Sequence, residues 1–214
     1  MIKRIANELK NHMPFTALGG IIGIIIMAII ILTKVPTTIS HTVFYTLHPI
    51  HVVLSALVTT AIYKKNSNGK IWAAVLIGYL GSVGIATISD SIIPYLGEMM
   101  LKLPHGEAHI GFIEKWWLIN PLALIGIAIG YWKPTTKLPH SGHVLISTGA
   151  SLFHIVMALG ETVNWITLPV IFVFLFLAVW LPCCLSDIVF PLLFIRKVAS
   201  SGHITYNHNH SERE

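Results

Sequence analysis

The sequence predicts an all-α, polytopic membrane protein with six transmembrane helices. The chain of 214 residues is 54% hydrophobic and only 11% charged, whereas soluble domains carry about 25% charged residues. Its apolar residues also form six runs long enough to cross a bilayer, which takes about 20 residues. These runs are residues 15–34, 42–63, 71–97, 116–132, 143–163 and 165–195.

The basic residues predict the orientation of these spans. Of the 14 lysines and arginines, only Lys34, Lys102 and Lys115 lie in the loops on one side. Such a bias places both termini in the cytoplasm and the chain in the plasma (inner) membrane. The net charge of +5 therefore reflects membrane topology, and no nucleic-acid partner is expected. We expect one domain, residues 1–199, followed by a disordered, His-containing cytoplasmic tail over 200–214.

Two carboxylates lie well inside apolar runs, and both occur in the pattern Ser-Asp-x-x-x-Pro. The first is Asp90, in Ser89–Pro94, and the second is Asp187, in Ser186–Pro191. A charged side chain at the centre of a membrane helix costs roughly 2.5 kcal/mol or more, so it normally faces a partner, a cavity or an ion path. We expect both aspartates to do so.

The paired pattern raises the hypothesis of two inverted three-helix repeats. His51 and the apolar residues after it resemble His154 and its successors, and Ser-Asp-x-x-x-Pro follows in both halves. A unit of three spans crosses the membrane an odd number of times, so two copies run in opposite directions, as in many secondary transporters. The alternative is chance similarity between apolar segments.

Histidines and acids in the spans suggest a metal site. His48 and His51 are three residues apart, so both can lie on one helix face. His154 is expected near mid-depth, with Glu161 seven residues later. Imidazole with carboxylate suits Zn, Fe, Mn, Co or Ni. The alternative for each histidine is a packed side chain that bonds a backbone carbonyl.

Further candidate ligands lie towards the two membrane faces. The outer loop reads His105-x-Glu107-x-His109, which could gather cations or simply be solvated. Cys183 and Cys184 offer sulfur ligands near Asp187, although buried cysteine also packs as a small apolar residue. The complete set of predicted metal ligands is His48, His51, Asp90, His105, Glu107, His109, His154, Glu161, Cys183, Cys184 and Asp187.

The function that this set favours is transport. We expect a small transporter or channel for a divalent transition-metal cation, coupled to protons, because neutral histidine exchanges protons for metal near neutral pH. Asp90 with His105 and His109 would serve the outer side. His48, His51 and His154 would form the midplane site, and Asp187 with the two cysteines the inner side.

Two alternatives stay open from the sequence. His48 or His51 with His154 could ligate a b-type haem for electron transfer, and histidines with aspartate could hold zinc for an intramembrane hydrolase. No phosphate-binding loop, nucleophile elbow or His-Glu-x-x-His helix is present, so no catalytic residue is predicted and an enzyme is the weaker hypothesis. The expected partners are membrane lipid, the metal ion and a second copy or a larger membrane complex.

Overall fold

The computed structural model describes residues 2–67, 70–134, 137–159, 166–184, 190 and 194. This part of the chain is all-helical and contains no strand. The helices are α1 (Ile2–Leu32), α2 (Thr37–Asn66), α3 (Ile71–Leu101), α4 (Gly111–Glu114), α5 (Trp116–Trp132), α6 (Lys137–Ala158) and α7 (Thr167–Cys184).

The helix bounds differ from the predicted spans mainly at the ends. The bounds of α5 coincide with the predicted fourth run, whereas α1 begins at Ile2, well before the first run. Helix α6 begins at Lys137, so His140 and His143 lie in its first two turns. The end of the predicted sixth span and the tail over 200–214 lie outside the described residues.

Contacts between the six long helices show that they alternate in direction. Helices α3 and α6 run the same way, because Asp90 meets Ser147 and Glu98 meets His154. Helix α1 follows them, since Gly19 lies against Thr148 and Gly23 against Leu152.

Helices α2, α5 and α7 run the opposite way. A Cβ at Gly126 would lie 2.5 Å from the Val53 carbonyl oxygen, and a Cβ at Gly130 would lie 2.4 Å from that of Leu57. Only glycine permits so close an approach of α5 to α2. Below, the "His41 end" is the end of the bundle where α2 begins and α3 and α6 finish, and the "Lys64 end" is the opposite one.

Helix α3 is interrupted by two π-helical turns, Leu80–Gly84 and Ile88–Ile92. In the second turn the Ile93 amide donates to the carbonyl of Ile88, five residues back. Pro94 follows directly, and the widened turn accommodates a residue that has no N–H and crowds the preceding turn. The helix therefore continues through Pro94 to Leu101, beyond the predicted end at residue 97.

Over the described residues, the bundle exposes many large apolar side chains and buries polar side chains among its apolar core. Large apolar side chains are exposed along the helices, among them Ile21, Ile25 and Ile29 of α1, Leu76 and Leu80 of α3 and Leu124 and Ile125 of α5. Buried polar side chains recur every three or four residues on facing helices: His48, His51, Ser55 and Thr59 on α2, and His143, Ser147, Ser151 and His154 on α6. Such spacing places each set on one helix face.

Two helices, α2 and α3, are long and apolar enough to cross a membrane. The four other long helices contain shorter apolar stretches, Thr16–Leu32, Trp116–Trp132, Gly142–Ala158 and Thr167–Pro182. Two helices of the structure thus agree with a membrane location, and the six-span arrangement stays a prediction.

Candidate functional site

Asp90 lies at the centre of a hydrogen-bonded cluster between α2, α3 and α6. Its side chain is fully buried, and its Oδ2 lies 2.9 Å from His48 Nδ1 and 2.6 Å from His51 Nδ1. Its Oδ1 accepts the hydroxyl groups of Ser89, at 2.7 Å, and Ser147, at 2.9 Å. With a proton on each Nδ1, four donors surround one carboxylate, which is an acceptor with about four lone-pair positions.

Local backbone geometry explains how this cluster assembles. His48 and His51 are three residues apart on α2, so both reach the same carboxylate oxygen. The π-helical turn Ile88–Ile92 buries Ser89 and Asp90 together with Ser91. Turns of this type often mark functional sites. Ser151 of α6 also donates to the backbone oxygen of Ser89, at 3.0 Å, which fixes α6 against the turn.

The cluster continues towards the Lys64 end through a third imidazole. The rings of His51 and His143 are stacked, with centroids 5.3 Å apart and an interplanar angle of 9°. His143 is fully buried on α6, one turn from Ser147. Six polar side chains from α2, α3 and α6 are therefore in continuous contact inside the bundle: His48, His51, Ser89, Asp90, His143 and Ser147.

A second acid and histidine pair lies nearer the His41 end. His154 Nδ1 is 2.7 Å from Glu98 Oε1, and each side chain is 1% exposed. The other oxygen of Glu98, Oε2, is buried and has no hydrogen-bond partner among the described residues. It faces the segment 103–110, because a Cβ at Gly106 would lie 3.6 Å from it. Glu98 thus holds one imidazole and leaves one carboxylate oxygen open.

His109 connects this pair to the surface. Its backbone amide donates to His154 Nε2 at 3.4 Å, and the two rings lie 5.5 Å apart. Its Nδ1 is 3.5 Å from the carboxylate of Glu114 and 3.5 Å from the hydroxyl of Tyr45, which itself donates to Glu114. The exposed ring of His41 lies 6.2 Å from His109.

The partly buried position of His109 affects its protonation. Burial lowers the pKa of His109 below the ordinary value of 6.5, the nearby His154 and His41 lower it further, and Glu107 opposes them. His109 therefore stays neutral, with a free lone pair on its ring, to a lower pH than an ordinary histidine.

Phe44 separates the two clusters. Its buried ring stacks on His48 with centroids 5.5 Å apart and meets the edge of His154 at 5.3 Å. The segment before α4 covers the same region, since a Cβ at Gly111 would lie 2.6 Å from His48 Cδ2 and 2.7 Å from its Nε2. The predicted single midplane site of His48, His51 and His154 is thus divided, and His154 joins Glu98 and His109.

The other predicted ligands have different positions. His105 and Glu107 are exposed in the segment 103–110. Cys183 and Cys184 end α7, but their side chains lie outside the described part of the structure, as do Glu161 and Asp187. In the described residues, no group of three or more His, Cys, Asp or Glu side chains is arranged to hold a metal ion.

Sequence reasoning missed Glu98 and Ser147. Glu98 was missed because the third span was expected to end at residue 97, directly before it. It lies eight residues after Asp90, close to the same helix face, and this spacing could have identified it if the helix had been continued. Ser147 is four residues after His143, on the face that also carries His154, and a search for polar periodicity on α6 would have found it.

No family model, curated protein or solved structure gave a significant match to this chain.

Proposed function

We propose that the chain is an integral membrane protein with six spans and with both termini in the cytoplasm. The apolar exterior of the bundle and the burial of Asp90, Glu98 and the histidines beside them support this, because ionisable groups in membranes face the bundle interior. The alternation of the six long helices and the loop charges also support it. The His41 end is then the outer end. The inverted repeat stays a hypothesis, since Asp187 lies outside the described residues.

We further propose that it transports a divalent transition-metal cation, with protons as the coupling ion. The observation that carries this proposal is the His48–Asp90–His51 cluster in the bundle interior. Histidines that bind metals almost always donate their other ring N–H to a carboxylate, a backbone carbonyl or water. His48, His51 and His154 each have Nδ1 on a buried carboxylate, which leaves Nε2 as the donor to a cation.

Cargo binding in this proposal requires movement at the His41 end. The Nε2 edge of His48 packs against Gly111, so a cation that binds there must first displace the start of α4. Displacement of one short helix of four residues is a smaller rearrangement than separation of α2 from α3. The short helix and the segment before it therefore form the outer gate in this proposal.

The geometry favours transport over the haem alternative. A haem between His48 and His154 would need the space that the ring of Phe44 fills. The residues present therefore do not fit a porphyrin, and no electron-transfer step follows from them. The hydrolase alternative assigns water activation to an aspartate beside a metal with an open position. The carboxylate of Asp90 already has four neighbours, which counts against Asp90 in that role.

Uptake into proteoliposomes tests the proposal. Purified protein is reconstituted around a metal-sensitive dye, and Zn²⁺, Mn²⁺, Fe²⁺, Co²⁺ and Ni²⁺ are added outside in turn. We expect saturable uptake of at least one cation, accompanied by a pH change inside the vesicles. Asp90→Asn keeps the side-chain shape but removes the charge, and it should reduce uptake to the level of empty liposomes.

Controls make the result specific. Thr42→Ala changes an exposed residue of α2 whose hydroxyl bonds only the carbonyl of Thr38, so its uptake should equal that of the unmodified protein. If Asp90→Asn does not elute as a folded species, His51→Gln replaces it. Wild-type uptake in a folded Asp90→Asn protein, or no uptake of any of the five cations, would contradict the proposal.

A further inference from the structure

Three imidazoles at the His41 end form a series of increasing burial. His41 is exposed, His109 is partly buried with 20% of its side chain exposed, and His154 is 1% exposed. Neighbouring ring centroids in the series are 6.2 Å and 5.5 Å apart. The rings come from α2, from the segment before α4 and from α6, so three separate parts of the chain meet at this point.

The spacing of these rings is close to that of rings that share an ion. Two imidazoles on one tetrahedral ion, with ordinary metal–nitrogen distances, have ring centroids roughly 5 Å apart. The pair His109 and His154 is within about half an ångström of this value, and His41 is about 1 Å beyond it. The ring nitrogens do not converge on one point in the described residues, so the binding of a shared ion requires these side chains to rotate.

Two of these three rings have a carboxylate beside their Nδ1 atom. Glu98 faces His154 Nδ1 at 2.7 Å, and Glu114 faces His109 Nδ1 at 3.5 Å. Such carboxylates orient an imidazole and raise the basicity of its other nitrogen. Because the buried Oε2 of Glu98 has no hydrogen-bond partner among the described residues, part of the charge of Glu98 is uncompensated. A cation on His154 would offset it at short range.

We propose that His41, His109 and His154 form a capture site for a divalent transition-metal cation, separate from the Asp90 cluster and oriented by Glu98. This inference rests on the proposed function and names its first binding site. Cation binding at His154 Nε2 replaces the 3.4 Å hydrogen bond from the His109 amide. Capture therefore loosens the segment that covers His48, and it opens the way to the Asp90 cluster.

Titration with Co²⁺ tests the capture site without requiring transport. Tetrahedral Co²⁺ with nitrogen ligands absorbs visible light, so binding to the full chain in detergent is followed directly. We expect a saturable signal from the capture site in the unmodified protein, loss of that signal in both His41→Ala and His109→Ala, and no change in Thr42→Ala. The tail histidines His203, His208 and His210 are present in every variant, so only the differences between variants are interpreted.

Glu98 acts as a positioning residue in this proposal. Glu98→Gln should weaken Co²⁺ binding by roughly 10–100-fold, as is typical when a carboxylate behind a metal-binding histidine is removed. The spectrum at saturation should stay the same, because the ligands to the ion do not change. A purely structural role would instead lower the melting temperature and leave the Co²⁺ affinity of the folded fraction unaltered.

The outcomes separate this inference from the proposed function. Asp90→Asn should retain the Co²⁺ spectrum while it abolishes uptake. A Co²⁺ site lost in His41→Ala, in a protein that transports nothing, supports the capture site and overturns transport. Unchanged Co²⁺ affinity in both His41→Ala and His109→Ala, or no Co²⁺ binding by the unmodified protein, overturns the capture site.

Discussion

Asp90 and Glu98 are two buried carboxylates on one helix, eight residues apart, and their surroundings differ. Asp90 has two imidazoles on one oxygen and two hydroxyls on the other. Glu98 has one imidazole on Oε1 and no hydrogen-bond partner for Oε2 among the described residues. Both histidine sets have Nδ1 on the acid, so the difference lies in the acids themselves.

This difference indicates which acid stabilises the fold and which acid has an oxygen available to a further ligand. A buried charge is tolerated when it is paired and all its hydrogen-bonding positions are filled, as for Asp90. An open position on a buried carboxylate is unfavourable unless something occupies it. In our account Asp90 holds α2, α3 and α6 together around the transport path, and Glu98 supports the binding of an incoming cation.

The largest expected effect is on the free energy of unfolding, which should fall further when Asp90 is removed than when Glu98 is removed. Asp90→Ala leaves two imidazoles and two hydroxyls without their acceptor, and breaking a buried pair of this kind costs about 3–5 kcal/mol. Glu98→Ala leaves one imidazole N–H unpaired, which costs about 1–3 kcal/mol. Reversible denaturation in mixed micelles measures both values. Equal losses of stability would remove the distinction between the acids.

Substitution of two glycines tests the comparison between the acids, because one glycine lies beside the Asp90 cluster and the other beside Glu98. Gly111→Ala places a Cβ within 2.7 Å of His48 Nε2, so the Asp90 cluster must shift, with an expected cost of about 1–3 kcal/mol. Gly106→Ala places a Cβ 3.5 Å from the Cβ of Glu98, which is ordinary contact. The melting temperature should fall in the first variant and stay nearly constant in the second. The reverse order would show that the covering segment packs differently.

The smallest effect concerns His109, which links Glu98 and His154 to the surface. Its pKa in the folded protein lies below the ordinary 6.5, so the unfolded chain binds its proton at a higher pH than the folded chain does. Its contribution to stability is therefore complete above pH 6.5 and declines as the pH falls towards the folded-state pKa. His109→Gln should reduce this decline. If the stability of the variant depended on pH as that of the unmodified protein does, the lowered pKa of His109 would be excluded.

The sequence predicted the all-helical class from its long apolar runs, and it predicted that Asp90 faces a partner because a charge inside such a run is costly. It assigned Asp90 to the outer side with His105 and His109, whereas the structure places Asp90 on His48 and His51. It did not predict the separation of His154 from these residues, which depends on where the side chain of Phe44 packs. Glu98 was missed because the third span was expected to end at residue 97, and the π-helical turn that lets α3 continue through Pro94 to Leu101 has no recognisable local pattern.

The measurement that tests the central claim most directly is the concentration dependence of cation uptake in proteoliposomes containing unmodified, Asp90→Asn or Glu98→Gln protein. The account predicts saturable uptake by the unmodified protein. It predicts loss of the maximal rate in Asp90→Asn, and a half-saturation concentration about 10–100-fold higher in Glu98→Gln with the maximal rate retained. Uptake indistinguishable from that of empty liposomes in the unmodified protein would contradict the account, as would identical kinetics in all three proteins.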